Sequence, residues 1–152
     1  MAAPALDAED VEMVLARTSF FSRFSNAQRA RILSIAKPVT LPIGKQVYGV
    51  GEPARIFYVL LEGKILFSLA VGNRQASAGQ IISGGDVFGW GALVESGKKR
   101  IATAIATTSC AALAIDGDEL LALADADHSL GYALMRALNM IITGTLTAFA
   151  AG

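Results

Sequence analysis

Between residues 37 and 115 the chain is a succession of short apolar runs, each interrupted by glycine or proline. Runs of about four to eight residues bounded by turn residues are typical of β-strands, whereas helices show longer uninterrupted patterns. This spacing predicts an antiparallel roll or barrel. The first five predicted strands cover residues 39–43, 47–50, 56–61, 65–71 and 80–82.

The clearest hairpin signal lies in residues 64–71, where large apolar side chains alternate with smaller or more polar ones. This period of two is expected of a strand with one buried face. Gly72 and Asn73 follow directly and favour a tight turn. Two further strands are predicted at residues 101–105 and 111–115.

Two helices are predicted before the sheet region. Asp7 has the chemistry of an N-cap for the first helix. Ser25 and Gln28 have the spacing of a capping box for the second helix, which Pro38 ends. Three aromatic residues are expected to pack at the junction between the helices, namely Phe20, Phe21 and Phe24.

Helices are also predicted after the sheet region. Asp116 and Glu119 indicate one helix start, and the last helix begins near Asp127 or Ser129. This last helix carries apolar residues on every side, so it needs two packing partners. One is the roll, and a second copy of the same helix is the simplest other, which predicts a homodimer. The residues on its different sides are Leu130, Leu134 and Ile141, then Met135, Leu138, Ile142 and Phe149.

Composition restricts the class of protein. The 152 residues include 13 basic and 13 acidic side chains, so no net charge attracts nucleic acid or an anionic membrane. Cys110 is the only cysteine, and no apolar run reaches the roughly 20 residues of a spanning helix. The acidic start of the chain does not resemble a secretory signal. We therefore expect one soluble, cytoplasmic domain over residues 1–152.

The residues offer little chemistry for catalysis or metal binding. His128, the only histidine, lies beside Asp125 and Asp127 at a helix start, where capping is the simpler role. Residues 98–100 form the only basic cluster, which is too small for a nucleic-acid surface. The sequence predicts no enzyme and no metal site.

The order of these elements resembles the cyclic-nucleotide-binding domain of catabolite-activator-type regulators over about residues 15–150. The resemblance implies an α+β fold: an antiparallel β-roll, or jelly-roll-like double-stranded β-helix, between N-terminal helices and a long C-terminal helix. It divides the chain at residues 1–36, 37–115 and 116–152. The motifs that carry it are Gly44, Gly51 with Glu52, residues 57–63 and residues 84–89.

The resemblance also identifies a phosphate-binding cassette within residues 88–100. A glycine-flanked turn with free N–H groups and an arginine both suit a compact anion. The family would place cyclic AMP or cyclic GMP here. The implied ligand-binding residues are Gly89, Trp90, Gly91, Ala92, Leu93, Arg100, Ile101 and Ala102.

Two cassette positions depart from the family pattern. Trp90 stands where a glutamate usually accepts hydrogen bonds from the ribose hydroxyl, and indole is only a donor. Ile101 stands where a hydroxyl often contacts the phosphate. These departures predict weakened binding of a cyclic nucleotide. Arg100 could alternatively be a surface arginine paired with Glu95.

Two functional hypotheses remain open at this point. The first is a stand-alone sensor that binds a small anionic ligand and signals to an effector protein through its last helix. The second is a dimerisation or adaptor domain whose pocket is filled by Trp90. Because the chain ends at Gly152 without a helix-turn-helix module, direct DNA recognition is not expected.

Overall fold

The computed structural model describes residues 8–71, 74–94 and 99–151. Four α-helices flank or follow the sheet region: α1 (Ala8–Arg17), α2 (Asn26–Ser34), α3 (Gly117–Ala126) and α4 (His128–Ala151). Two short 3-10 helices cover Phe21–Arg23 and Trp90–Leu93. The strands are β1 (Ala36–Leu41), β2 (Gln46–Tyr48), β3 (Ile56–Glu62), β4 (Lys64–Val71), β5 (Arg74–Ser83), β6 (Val87–Phe88), β7 (Ala102–Ala106) and β8 (Cys110–Asp116).

The strands form two four-stranded antiparallel sheets, in the orders β1-β8-β3-β6 and β2-β7-β4-β5. Pro38, expected to end a helix, instead lies in β1 opposite Leu113. Strand β1 is at the edge of its sheet, where a residue without an N–H is tolerated. The predicted α+β fold with a β-roll and flanking helices is confirmed.

Strand β3 separates two apolar clusters. Phe57, Val59 and Leu61 belong to a helix-side cluster with residues of all four α-helices. Leu60 belongs to a roll cluster to which both sheets contribute, and Tyr58 packs against that cluster. This alternation follows from the period of two along a strand. The strand therefore connects the interior of the roll with the helical layer.

The predicted caps agree with the structure where they can be described. Ser25 caps α2 in a full capping box with Gln28. The Asp116 side chain accepts a hydrogen bond from the Glu119 N–H at the start of α3. Asp127 accepts from the first N–H groups of α4, which selects it over Ser129 as the cap. Asp7 lies outside the described residues.

The strand predictions needed one large change. The run predicted at 80–82 belongs to the ten-residue strand β5, which pairs along its length with β4. Its first half is small and polar, so hydrophobicity alone did not mark it as a strand. Gly72 and Asn73 lie outside the described residues, but Val71 and Arg74 on either side of them are register partners.

Helix α4 buries one stripe and exposes another, and both carry apolar residues. Leu130, Leu134 and Leu138 are buried, so Leu138 shares the core face from which the sequence analysis separated it. Tyr132 and Met135 are exposed on the other face. The side chain of Phe149 lies outside the described part of the chain. Among the described residues, no helix is long and apolar enough to cross a membrane.

Candidate anion site in the β-roll

Arg100 is buried, with only 7% of its surface exposed. Its backbone is held by the turn after β2: the Arg100 N–H donates to the Glu52 carbonyl at 2.8 Å, and its carbonyl accepts from the Gly51 N–H at 2.9 Å. These two bonds place the side chain inside the roll. The alternative of a surface arginine is therefore wrong, and its suggested partner Glu95 lies outside the described residues.

The Arg100 guanidinium is oriented by two backbone carbonyls. Nη1 donates to the carbonyl of Gly89 at 2.9 Å, and Nη2 donates to the carbonyl of Ile56 at 2.6 Å. The central carbon lies 4.1 Å from the centroid of the Tyr48 ring. Nε is buried and has no hydrogen-bond partner among the described residues. The side chain is therefore fixed in direction and retains unused donors.

Arg100 forms no ion pair with any residue that the structure describes. Among the described residues, the salt bridges join Arg29 to Glu12 and Arg31 to Asp127. Burial lowers the pKa of the Arg100 guanidinium from its ordinary value, and the nearby Tyr48, Tyr58 and Glu52 side chains oppose this effect in part. Glu52 itself accepts a hydrogen bond from the Gly49 N–H at 2.6 Å. The arrangement can accommodate a negatively charged group beside Arg100.

Gly89 adopts a left-handed conformation with φ +78°, directly before the short 3-10 helix. A Cβ there would lie 3.0 Å from the Ile56 carbonyl oxygen and 3.1 Å from Nη1 of Arg100. Glycine is thus required both by the backbone conformation and by the close approach of the guanidinium. At Gly91 a Cβ would lie 3.2 Å from the Ala54 Cβ. These two glycines let the turn lie close against Arg100.

The structure places the other predicted ligand-binding residues in several different environments. Trp90 is half-buried and packs against the helix-side cluster, to which Ala92 and Leu93 belong. Ile101 is 54% exposed. Ala102, half-buried, begins β7 opposite Leu69. The structure therefore brings Gly89, Gly91 and Arg100 together, and it places Trp90 away from the roll cluster.

Aromatic side chains, which the sequence analysis did not single out, surround the site. Tyr58 and Phe88 stack with centroids 4.9 Å apart, and Tyr48 lies 6.5 Å from Tyr58. Burial raises the pKa of Tyr48 to about 12, although the Arg100 charge and a Gly89 backbone hydrogen bond lower it in part. Burial also raises the pKa of Tyr58. Both phenols are therefore neutral at pH 7 and supply no counter-charge.

The only sequence signal for Tyr48 and Tyr58 as site residues is the alternation of inward and outward side chains along each strand. This alternation assigns Tyr48 in β2 and Tyr58 in β3 to the inner face of their strands, but it does not indicate which strands lie beside Arg100. The carbonyl of Ile56 leaves no sequence signal, because every residue has one.

The acidic and histidine side chains form no comparable site. His128 is exposed at the first position of α4, next to the capping Asp127. Within residues 8–71, 74–94 and 99–151, no three histidine, cysteine or acidic side chains are grouped so that they could hold a metal ion. Arg100 thus remains the centre of the candidate site.

Several solved structures share this fold. The N-terminal domain of a transcriptional regulator from Streptomyces coelicolor A3(2) is 26% identical, with a TM-score of 0.71 over 87% of this chain and 94% of that one. A cyclic nucleotide-binding domain from Methylobacillus flagellatus is 17% identical, with a TM-score of 0.79 over 94% and 80%. The catabolite activator protein of Thermus thermophilus is 20% identical, with a TM-score of 0.71 over 87% and 62%.

A search of curated protein sequences finds no match. The family model described as "Cyclic nucleotide-binding domain" matches residues 38–127, which include the whole site around Arg100 and most of the roll. The chain therefore belongs to the cyclic nucleotide-binding domain family.

Proposed function

We propose that the chain is a regulatory sensor domain that binds a small anionic ligand at Arg100 and signals through α4. The observation that carries this proposal is the buried guanidinium with no carboxylate partner in the described part of the chain. A buried charge is costly unless it is paired, and an oxyanion would supply the missing charge. Family membership makes cyclic AMP and cyclic GMP the first ligands to test.

The chemistry of the site favours weak binding of a cyclic nucleotide. Arg100 retains Nε and the second hydrogen of each terminal nitrogen for an oxyanion. Trp90 supplies no acceptor for a ribose hydroxyl, and its ring packs against the helix-side cluster. An unpaired hydroxyl in a buried site costs about 1–3 kcal/mol. We therefore expect a lower affinity than a site with an acidic residue at position 90 would have.

Two close backbone contacts support a route from the site to α4. A Cβ on Gly117, the first residue of α3, would overlap the carbonyl of Ala92 in the cassette turn. A Cβ on Gly131 in α4 would lie 2.8 Å from the carbonyl of Ala124 in α3. Tightly packed elements transmit displacements because there is no empty space between them to absorb a shift. A shift of the turn on ligand binding would therefore move α3 and then α4.

We also propose that residues 1–152 act as one domain and that two copies associate through α4. Tyr132 and Met135 are 65% and 43% exposed on the face opposite the buried stripe. A self-complementary helix pair would cover this face in both copies. The molecular mass from sedimentation, measured for the wild type and for a Tyr132→Lys/Met135→Lys variant, tests this. A monomeric wild type at micromolar concentration would refute the dimer.

A second function is supported by the state of the pocket. The Arg100 guanidinium is bonded to two carbonyls and covered by Tyr48, so the protein's own groups occupy its surroundings. This favours an adaptor or dimerisation domain that binds no ligand. In this adaptor hypothesis Tyr48, rather than Trp90, lies against Arg100, because Trp90 packs against the helical layer.

Calorimetric titration with cyclic AMP and cyclic GMP distinguishes the two functions. The sensor proposal expects micromolar binding by the wild type, loss of binding in Arg100→Ala, and no loss in Arg55→Ala. Arg55 is a matched control because its side chain is exposed and it precedes the residue whose carbonyl holds Arg100. No binding by the wild type, with or without a gain in Trp90→Glu, would instead support the adaptor.

A further inference from the structure

The ring of Tyr48 covers one face of the Arg100 guanidinium. Its centroid lies 4.1 Å from the guanidinium carbon, which is the geometry of a close cation–π contact. Tyr48 is itself 9% exposed and belongs to the roll cluster with Phe88. The contact joins β2 to the segment between the cassette turn and β7, which are otherwise distant in sequence.

Little of the Arg100 side chain can be reached from solvent in this arrangement. Nε is buried, and the residue as a whole is 7% exposed. The two terminal nitrogens lie against the carbonyls of Gly89 and Ile56. An anion that uses Nε can reach the guanidinium only after a neighbouring group has moved, because Nε is buried. The question is therefore which neighbour can move at the smallest cost.

Among these neighbours, Tyr48 contacts Arg100 through its side chain, whereas Gly89 and Ile56 do so through backbone carbonyls. The Gly89 and Ile56 carbonyls belong to the backbone of tightly packed segments, as the short distances at Gly89 show. Strand β2 has only three residues, and its pairing with β7 is irregular between Gln46 and Tyr48. It is followed by Gly49 and by Gly51, whose φ is +87°. A side-chain rotation at Tyr48 leaves the backbone pairing of the sheet in place, although it breaks the ring contacts of Tyr48 with Tyr58 and Phe88.

We propose that Tyr48 is a cover that closes the Arg100 site in the free protein and that the Tyr48–Arg100 contact sets the affinity of the site for an anion. The ligand part of this inference rests on the proposed sensor function. A binding-competent state that is only partly populated weakens the apparent affinity by its population. Removal of the cover therefore strengthens binding, whereas loss of a merely structural tyrosine would leave it unchanged or weaken it.

Titration of three proteins with cyclic AMP and with inorganic pyrophosphate tests the effect on affinity. In Tyr48→Leu, which removes the aromatic face but keeps apolar volume, the dissociation constant of the binding probe falls about tenfold. In Tyr48→Phe, which keeps the ring, it stays within about twofold of the wild type. An unchanged or weaker affinity of folded Tyr48→Leu overturns the proposal.

A second measurement needs no ligand. The rate at which phenylglyoxal modifies each arginine is followed by mass spectrometry, with exposed Arg17 and Arg55 as internal standards. Arg100 reacts slowly in the wild type and in Tyr48→Phe, and about tenfold faster in Tyr48→Leu. Buried Arg29 reports unfolding, because it stays slow only while the helical layer is intact.

The modification experiment separates this inference from the sensor function. Faster modification of Arg100 in Tyr48→Leu, without binding of either probe by any protein, would support the cover and refute the sensor for these ligands. Equal rates for Arg100 and Arg55 in the unaltered chain would overturn the cover whatever the ligand result. The same conclusion follows if Arg100 in folded Tyr48→Leu remains as slow as in the wild type.

Discussion

The helical layer and the roll each bury an arginine, and these two arginines have different partners. Arg29 is 8% exposed and Arg100 is 7% exposed. Arg29 forms an ion pair with Glu12 at 3.0 Å and also donates to the carbonyls of Phe21 and Phe24. Arg100 has two carbonyls and an aromatic face, but it forms no salt bridge with a described residue.

This difference separates an arginine whose role is structural from one that can serve a ligand. The fold itself neutralises Arg29 and uses its donors to hold the junction of α1 and α2. Arg100 is also held by two hydrogen bonds, yet within the described part of the chain it has no salt bridge and its Nε has no acceptor. Burying such a group is unfavourable unless something else is gained. An external anion is the partner that would complete the site.

The largest expected effect is on stability, in a matched pair of substitutions. Arg29→Met removes the partner of Glu12 and of two carbonyls, and we expect it to lower the free energy of unfolding by roughly 3 kcal/mol. Arg100→Met removes the donor to two carbonyls but also relieves the cost of a buried charge without a salt bridge, so the two effects oppose each other and we expect a change below about 1 kcal/mol. Urea denaturation followed by circular dichroism measures both. Equal losses would remove the distinction between the two arginines.

The second prediction concerns alkaline pH. The pKa of Tyr48 is raised from 10.0 to about 12 in the fold, so the folded state holds the phenol proton more tightly than the unfolded state. The contribution of the protonated Tyr48 phenol to the free energy of unfolding is complete below pH 10, and it is lost as the pH rises through about 12. We expect on the order of 2 kcal/mol to be lost over this interval. Denaturation across this range should show a smaller loss for Tyr48→Phe, and identical curves would refute the assignment to Tyr48.

A smaller effect should distinguish the arginines through a compact oxyanion. Sulfate stabilises most proteins by exclusion from their surface, so the comparison between variants is what matters. If sulfate binds Arg100, it raises the free energy of unfolding of the wild type by about 1.4 kcal/mol more than that of Arg100→Met. This value applies when the sulfate concentration is about tenfold above the dissociation constant. Arg29→Lys, which retains a cation in the helical layer, should behave like the wild type. A sulfate response of equal size in Arg100→Met would argue against an anion site.

The smallest expected effect belongs to a third arginine, which lies at the surface. The side chains of Arg31 and Asp127 form a salt bridge at 2.9 Å and are 44% and 31% exposed. Exposed pairs contribute little because water and salt screen them, so Arg31→Gln should cost less than about 1 kcal/mol. Thermal unfolding at low and high salt measures this cost. A loss as large as that of Arg29→Met would show that burial does not determine the contribution of an arginine here.

Local signals in the sequence were sufficient for most of the fold. The capping box of Ser25 and Gln28 and the cap at Asp116 were predicted because a few neighbouring residues determine them. Strand β5 was mostly missed because the small and polar residues of its first half have no hydrophobic signal. Its pairing with β4 supplies the missing information, and that pairing is a tertiary property.

The sequence by itself determined most of the helices and strands, because periodicity, turn residues and cap chemistry act over a few residues. Its resemblance to a known family identified Arg100 as the central cation. Only the tertiary structure decided that Arg100 is buried, that Trp90 packs against the helical layer, and that Tyr48 covers the guanidinium. Residue 48 meets residue 100 because strands from opposite ends of the roll pair in one sheet. Contacts of that kind follow from strand register, which no short stretch of sequence specifies.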